Sequence, residues 1–450
     1  MINDLSERKA HVNKLSSEEI RQRIDASPMS AVQVTAIVIT VMLAALDGYD
    51  VLSITFAAPA ISSAWELGKA ALGIVFSSGL AGMALGSFFL APLADRVGRK
   101  PITLLSLVLM GAGSLLSATA QTLSELIAWR ALTGLGIGSC IAVVYPIAAE
   151  FSNSRHRALC IALTAIGYPL GGLIASIVAS LLLDDFGWQG IFVAGFVAAA
   201  IMMPIVMAFM PESLGFLLSR DRSARDKRLV RLLQRCGLPQ TEVLEMRRSP
   251  VKLGYAAVFE PGQRATTIRL TIVNALNVAV VYFVLNWMPQ MVTDAGFSPA
   301  QSSRVAAIAN IVGIFGGALL GVLARRIGLN SATSFAIFAL GASTIVFGLT
   351  PPSYTLLMVA AGVSGFLLFA SMTGIYATLA QSFRDEARAS GTGFVIGVGR
   401  ISSAIAPAIA GGLFAAGMGP AGICLVFGLV AFVAGLVFVW KRPPLSVVSI

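Results

Sequence analysis

The chain has 450 residues, 56% of them hydrophobic and only 12% charged, with a mean hydropathy of +0.83. Soluble domains carry about twice that charge fraction, so the composition excludes an ordinary soluble protein. The net charge of +10 does not mark a nucleic-acid partner, because the basic residues lie between apolar runs rather than in a patch with interleaved aromatics.

Residues 1–29 are polar, carry both signs of charge and lack the apolar core and cleavage site of a signal peptide. They read as a cytoplasmic N-terminal tail. Apolar runs of about twenty residues then predict span 1 at 30–58, span 2 at 70–94, span 3 at 101–120, span 4 at 125–150, span 5 at 158–183 and span 6 at 188–210. A cytoplasmic central loop, 211–266, holds eleven basic and six acidic residues. Its stretch Arg225 to Arg235 suits either the anionic inner leaflet or a solvated linker helix. Spans 7 to 12 follow at 267–292, 301–324, 331–350, 354–382, 389–416 and 419–441, and 442–450 form a cytoplasmic C-terminal tail. The expected fold is an all-α membrane protein of twelve transmembrane helices, in an N-terminal six-helix bundle (30–210) and a C-terminal one (267–441).

Of the 32 Lys and Arg residues, 28 fall in the tails and in the loops on one side. The opposite loops keep only Lys69 and Arg304. The positive-inside rule therefore puts both termini in the cytoplasm of a multi-pass protein of the plasma (bacterial inner) membrane. Trp65, Trp129, Trp188, Trp287 and Trp440 fall near span ends, and an interfacial belt accounts for most of them. Cys140, Cys160, Cys236 and Cys424 show no pairing or metal spacing, and the histidines, His11 and His156, lie outside the spans. No metal, cofactor or enzymatic centre is expected, and no glycine-rich phosphate loop suggests an ATP-driven pump.

Four charges lie inside spans. Asp47 and Asp50 sit mid-span in A-L-D-G-Y-D-V-L, Arg130 lies in span 4 and Arg400 deep in span 11. A charge at bilayer depth is costly and by default functional, although Arg130 lies near enough to its span end to snorkel. Asp47 and Asp50 are i, i+3 neighbours, on one helix face unless Gly48 unwinds it. Two close carboxylates in a low dielectric cannot both ionise cheaply, which would let one exchange a proton while the other stays paired with Arg130. Arg400 is the candidate for binding an anionic group, since guanidinium forks onto carboxylate with two parallel hydrogen bonds, or else an internal partner for an Asp. Tyr49, Tyr145, Tyr168, Tyr282 and Tyr376 offer aromatic faces within the spans, and Asn274 and Asn277 offer amides, for ligand binding or equally for packing.

The loop after span 2, A-P-L-A-D-R-V-G-R-K (Ala91 to Lys100), and the loop after span 8, G-V-L-A-R-R-I-G (Gly321 to Gly328), align at an offset of 230 residues. The second half thus repeats the first in the same orientation, and Asn277 falls opposite Asp47. At the cytoplasmic face Asp95, Arg96, Arg99, Glu150, Arg157 and Arg388 are candidates for an ion-paired gate. Gly79, Gly82 and Gly86 in span 2, and Gly393, Gly397 and Gly399 in span 11, offer faces for sliding or for tight packing.

These motifs resemble the major facilitator superfamily over essentially the whole chain: L-A-D-R-V-G-R-K between spans 2 and 3, R-A-L-T-G-L-G-I-G (Arg130 to Gly138) in span 4, and Pro211-Glu212-Ser213 after span 6. D-G-Y-D in span 1 is similar to the aromatic acid:proton symporter family. So are R-A-S-G-T-G-F-V-I-G-V-G-R (Arg388 to Arg400), Pro407, and Asn286-Trp287-Met288-Pro289 followed by A-G-F-S. The resemblance implies proton-coupled uptake of hydroxybenzoate- or protocatechuate-like carboxylates by a monomer in membrane lipid. It also implies functional roles for Asp47, Asp50, Glu150, Arg388 and Arg400. Proton-coupled efflux on the same fold remains open, since G-Y-P-L-G-G (Gly167 to Gly172) is close to an efflux pattern, and so does a membrane sensor of aromatic acids.

Overall fold

A computed structural model describes residues 14–15, 17–219, 232–236, 242–243, 259–260, 262–383 and 388–440. Among them are eleven helices long and apolar enough to cross a membrane. One, Arg157–Phe209, has 53 residues, about 80 Å at 1.5 Å per residue against a hydrocarbon core of about 30 Å. Gly187 breaks it with φ 64° and ψ −171°. It is therefore two crossings, spans 5 and 6, and the fold is the twelve-helix one.

The other spans are Ala31–Trp65, Lys69–Leu93, Arg99–Thr119, Leu123–Glu150, Arg264–Asp294, Pro299–Ile327, Leu329–Leu349, Tyr354–Ser382, Arg388–Ala415 and Pro420–Val439. Span 1 runs seven residues beyond its sequence estimate, since Ser30 opens it with a capping box and only the left-handed Glu66 ends it. The tail is not featureless: Ser17–Ala26 is a helix whose Ile20 and Ile24 are buried against the N-terminal bundle.

The repeat is written into the backbone. Positive φ angles occur at Glu66 and Gly296, at Gly98 and Gly328, and at Gly187 and Gly417. Each pair is separated by 230 residues, and each marks the same turn in the two halves. Packing follows the repeat as well. Spans 1 and 5, 2 and 4, and 3 and 6 contact one another in the first half, as 7 and 11, 8 and 10, and 9 and 12 do in the second.

The halves meet through spans 2 and 11, 5 and 8, and 1 and 7. Leu46–Pro59 of span 1 and Val280–Val292 of span 7 are buried without interruption, so this region is closed. Trp287, expected in an interfacial belt, is instead fully buried. It makes an edge contact with Phe76 at 5.3 Å and donates to the Pro407 carbonyl at 3.2 Å, because it lies on the inner face of the seam.

Candidate functional site

Span 1 is helical through Gly48, where an added Cβ would strike the Tyr168 carbonyl of span 5. Glycine lets the two helices touch there without unwinding. Asp47 and Asp50 flank this contact, both 1% exposed. Their side chains part company.

Asp50 is enclosed within the first half. Its Oδ1 accepts from Ser114 Oγ at 3.1 Å and Oδ2 has no partner. Gly195 leaves room for it, since a Cβ there would lie 3.0 Å from Oδ1. Arg130 does not snorkel. It is 1% exposed, donates through Nη2 to the Asp50 backbone carbonyl at 2.6 Å, and lies 5.5 Å from the centre of the Phe192 ring. Its Nη1 reaches Ser53 Oγ at 3.4 Å. The arginine and Asp50 thus neutralise one another by proximity, not through a carboxylate–guanidinium fork. Tyr49 belongs to this enclosure: its hydroxyl donates to the Ile191 carbonyl at 2.7 Å, which turns the ring away from the seam between the halves.

Asp47 faces that seam. Neither of its oxygens has a hydrogen-bond partner, and it lies in the electrostatic field of Asp50 and Arg400. Arg400, half-buried, leaves Nη1 without a partner. Around them stand Tyr145 of span 4, Tyr168 of span 5, Tyr282 of span 7 and Tyr376 of span 10. Arg400 interacts electrostatically with Tyr145, Tyr282 and Tyr376, and the Tyr168 hydroxyl, without a formed hydrogen bond, is turned toward Tyr282. Tyr376 is 38% exposed although its neighbours come from spans 4, 7 and 11. Its exposure is therefore to a space inside the bundle, not to lipid. Gly393 and Gly397, exposed and with nothing within 4 Å of an added Cβ, lie two turns and one turn before Arg400, on the same helix face. Asn277, the repeat counterpart of Asp47, is buried with both side-chain polar atoms unpaired. Buried polar atoms are ordinarily satisfied, so Asp47, Arg400 and Asn277 at mid-depth provide unmet capacity for a polar ligand.

At the end bearing the tail helix, Arg99 pairs with Glu150, and Arg157 with Asp25. Ser213 Oγ donates to Glu150 at 2.7 Å, and Glu212 accepts from the backbone of Arg99 and Ser213 at 2.8 and 2.9 Å. Arg21 donates to the Ala149 and Glu150 carbonyls at 2.9 and 2.7 Å, capping the C-terminus of span 4. Burial, and then the Arg157 guanidinium, pull the Arg21 pKa below its ordinary value. This network ties spans 3, 4 and 5 and the tail helix within one half. Arg96 is exposed, and the side chains of Asp95 and Arg388 lie outside the described residues, as does most of Arg225 to Arg235. Sequence reasoning missed Ser53, Ser114 and Phe192, which carry no signal in an apolar span. It also missed Arg21 and Asp25, which the spacing of Ile20 and Ile24 could have placed on a docked helix.

The family model for the Major Facilitator Superfamily matches residues 38–353. The chain is 28% identical over 421 residues to the gallate transporter of Pseudomonas putida, covering 93% of this chain and 94% of that one. It is 25% identical to the 4-hydroxybenzoate transporter PcaK of Pseudomonas aeruginosa, covering 86% and 87%. To the 3-(3-hydroxy-phenyl)propionate transporter of Escherichia coli it is 27% identical, covering 88% and 90%. Among solved structures, the xylose transporter XylE of E. coli in a partially occluded inward-open conformation superposes with a TM-score of 0.72 at 15% identity, covering 93% and 99%.

Proposed function

Since the chain belongs to the major facilitator superfamily, we propose that it takes up aromatic carboxylates together with protons, by alternating access across the plasma membrane. The observation that carries this reading is Asp47, a buried carboxylate with no hydrogen-bond partner, in the field of Arg400, whose Nη1 also lacks one. In one state Arg400 and the Asp47 carboxylate offset each other's charge. Protonation of Asp47 frees Arg400 for the two parallel hydrogen bonds of a substrate carboxylate. Tyr145 and Tyr376, 231 residues apart on corresponding turns of spans 4 and 10, offer faces and edges to the ring, and Asn277 has a free amide for a ring hydroxyl. Asp50 and Arg130 hold the floor of the site. The gallate and 4-hydroxybenzoate transporters among the relatives support an aromatic acid as cargo.

The distribution of Lys and Arg supports cytoplasmic termini. The tail end, with its open space beside Tyr376 and Gly397, is then the cytoplasmic end, and the conformation is open inward. We assign the Arg99–Glu150 and Arg157–Asp25 pairs to ties that keep the first half rigid while it rocks, and not to a gate between the halves, because both are formed within one half while this end is open. Two six-span bundles, 30–210 and 267–441, are the moving bodies.

The test is uptake of labelled 4-hydroxybenzoate and gallate into cells expressing the protein, with and without a protonophore. Accumulation that collapses with the protonophore is expected. Protonophore-sensitive export of the same acids would move the reading to efflux, and saturable binding without flux would move it to a sensor.

A further inference from the structure

Lys69 is one of two basic residues on the face opposite the tails, and nothing in the site uses it. It begins span 2, in the first half, and its Nζ lies 2.6 Å from both carboxylate oxygens of Asp294, the last residue of span 7, in the second half. Gln290, one turn earlier, donates to the same carboxylate at 2.9 Å and holds it in place. The repeat does not supply this pair. At the offset of 230, Lys69 corresponds to Pro299 and Asp294 to Ala64, so the ion pair exists only where the two halves meet.

Directly beneath it the halves are in backbone contact. A Cβ on Gly411 of span 11 would lie 2.7 Å from the Lys69 carbonyl oxygen, 3.0 Å from Gly73 Cα and 3.2 Å from Trp287. Deeper still, Thr55 of span 1 donates to Asn286 of span 7 at 3.1 Å. We propose that Lys69 and Asp294 form the lock of this end. Their pair latches span 2 onto span 7 over the Gly73–Gly411–Trp287 seam, and its breakage is the first step toward the state that opens there. The side chains are 28% and 30% exposed, and ion pairs at that exposure are weak and screened. A weak latch suits a contact that opens on every cycle; the seam beneath supplies the seal.

The experiment reads opening directly, in purified full-length protein in detergent, so that neither orientation nor cargo enters. Thr55→Cys, and separately Ala58→Cys, report below the lock, with the four native cysteines buried and slow to react. The initial rate of maleimide labelling is measured in each parent, then with Lys69→Met, with Asp294→Asn, and with the reversed pair Lys69→Asp/Asp294→Lys. Each single change should raise the rate several-fold at both reporters, and the reversed pair should return it to the parent rate. Single variants that label no faster than the parent would overturn the lock, as would a reversed pair as reactive as the singles. Failure of the uptake assay leaves these rates untouched, so the two readings fail separately.

Discussion

Two aspartates one helical turn apart, in the same apolar span, have different surroundings, and the difference fixes what each can do. Asp50 accepts from Ser114 and lies against Arg130, which is itself buried and bonded to the Asp50 carbonyl. Asp50→Asn keeps the shape but leaves a buried guanidinium without a nearby negative charge, a loss on the order of 3 kcal/mol. The expected outcome is a lower melting temperature in detergent and less protein in the membrane. Asp47 has no such bonds to lose. Asp47→Asn should leave melting and abundance unchanged, abolish proton-driven accumulation and retain exchange of labelled for unlabelled acid across the membrane. Arg400→Lys keeps the charge and loses the fork. One charged hydrogen bond is worth about 1.5–3 kcal/mol, so KM for uptake should rise by about ten- to a hundred-fold with little change in abundance; an unchanged KM would remove Arg400 from the binding role. Composition and depth made the four embedded charges legible in the sequence. They did not reveal that Arg130 bonds a backbone carbonyl or that Tyr49 turns toward Ile191, because both depend on how span 1 is rotated against spans 4 and 6.

Element boundaries were readable for a physical reason: a helix that crosses lipid must satisfy its backbone internally and present apolar residues over a fixed length. The break between spans 5 and 6 was readable too: the apolar runs end at 183 and resume at 188, and the structure turns there at Gly187. The roles of glycine were not readable, since close packing and sliding call for the same small residue. Geometry separates them. A Cβ at Gly82, Gly86, Gly134 or Gly138 would collide with backbone carbonyl oxygens of the facing helix, so spans 2 and 4 pack backbone to backbone within one half. Gly79 instead faces Arg130, with 3.8 Å to its Nη2, and Gly399 packs on Asn274. Gly393 and Gly397 meet nothing. Gly138→Ala should therefore overpack the spans 2–4 contact at a cost of about 1–3 kcal/mol, lowering the melting temperature. Gly393→Ala should melt as the parent does, and any loss it shows should fall on transport rate. Equal melting of the two variants would return both glycines to the same role.

The whole molecule is two copies of one six-helix design, and its asymmetries are where function concentrates. The six positive-φ positions obey the repeat, and Tyr145 and Tyr376 follow it to within one residue on corresponding turns of spans 4 and 10. Asp47 against Asn277, Arg400 against Leu170 and Lys69 against Pro299 do not obey it. The first two put a charge on one side of the site only, and the third puts a latch at one end only. The conformation reflects that imbalance: spans 1 and 7 are sealed over Leu46–Pro59 and Val280–Val292, while the tail end leaves Tyr376 and Gly397 open. In the proposed orientation, with the tails cytoplasmic, a cysteine at Gly397 is reached from the cytoplasmic end. It should react with a membrane-impermeant maleimide in inverted vesicles and not in right-side-out ones. Gly397 is three residues from Arg400 and shares its helix face, so a carboxylate held by Arg400, as proposed, would cover the thiol. Saturating aromatic acid should slow the labelling several-fold in inverted vesicles, and Arg400→Lys should remove that protection while leaving the unprotected rate unchanged. Labelling from the outside would reverse the orientation that the positive charges assign. Protection that survives Arg400→Lys would place the acid against other groups of the cavity.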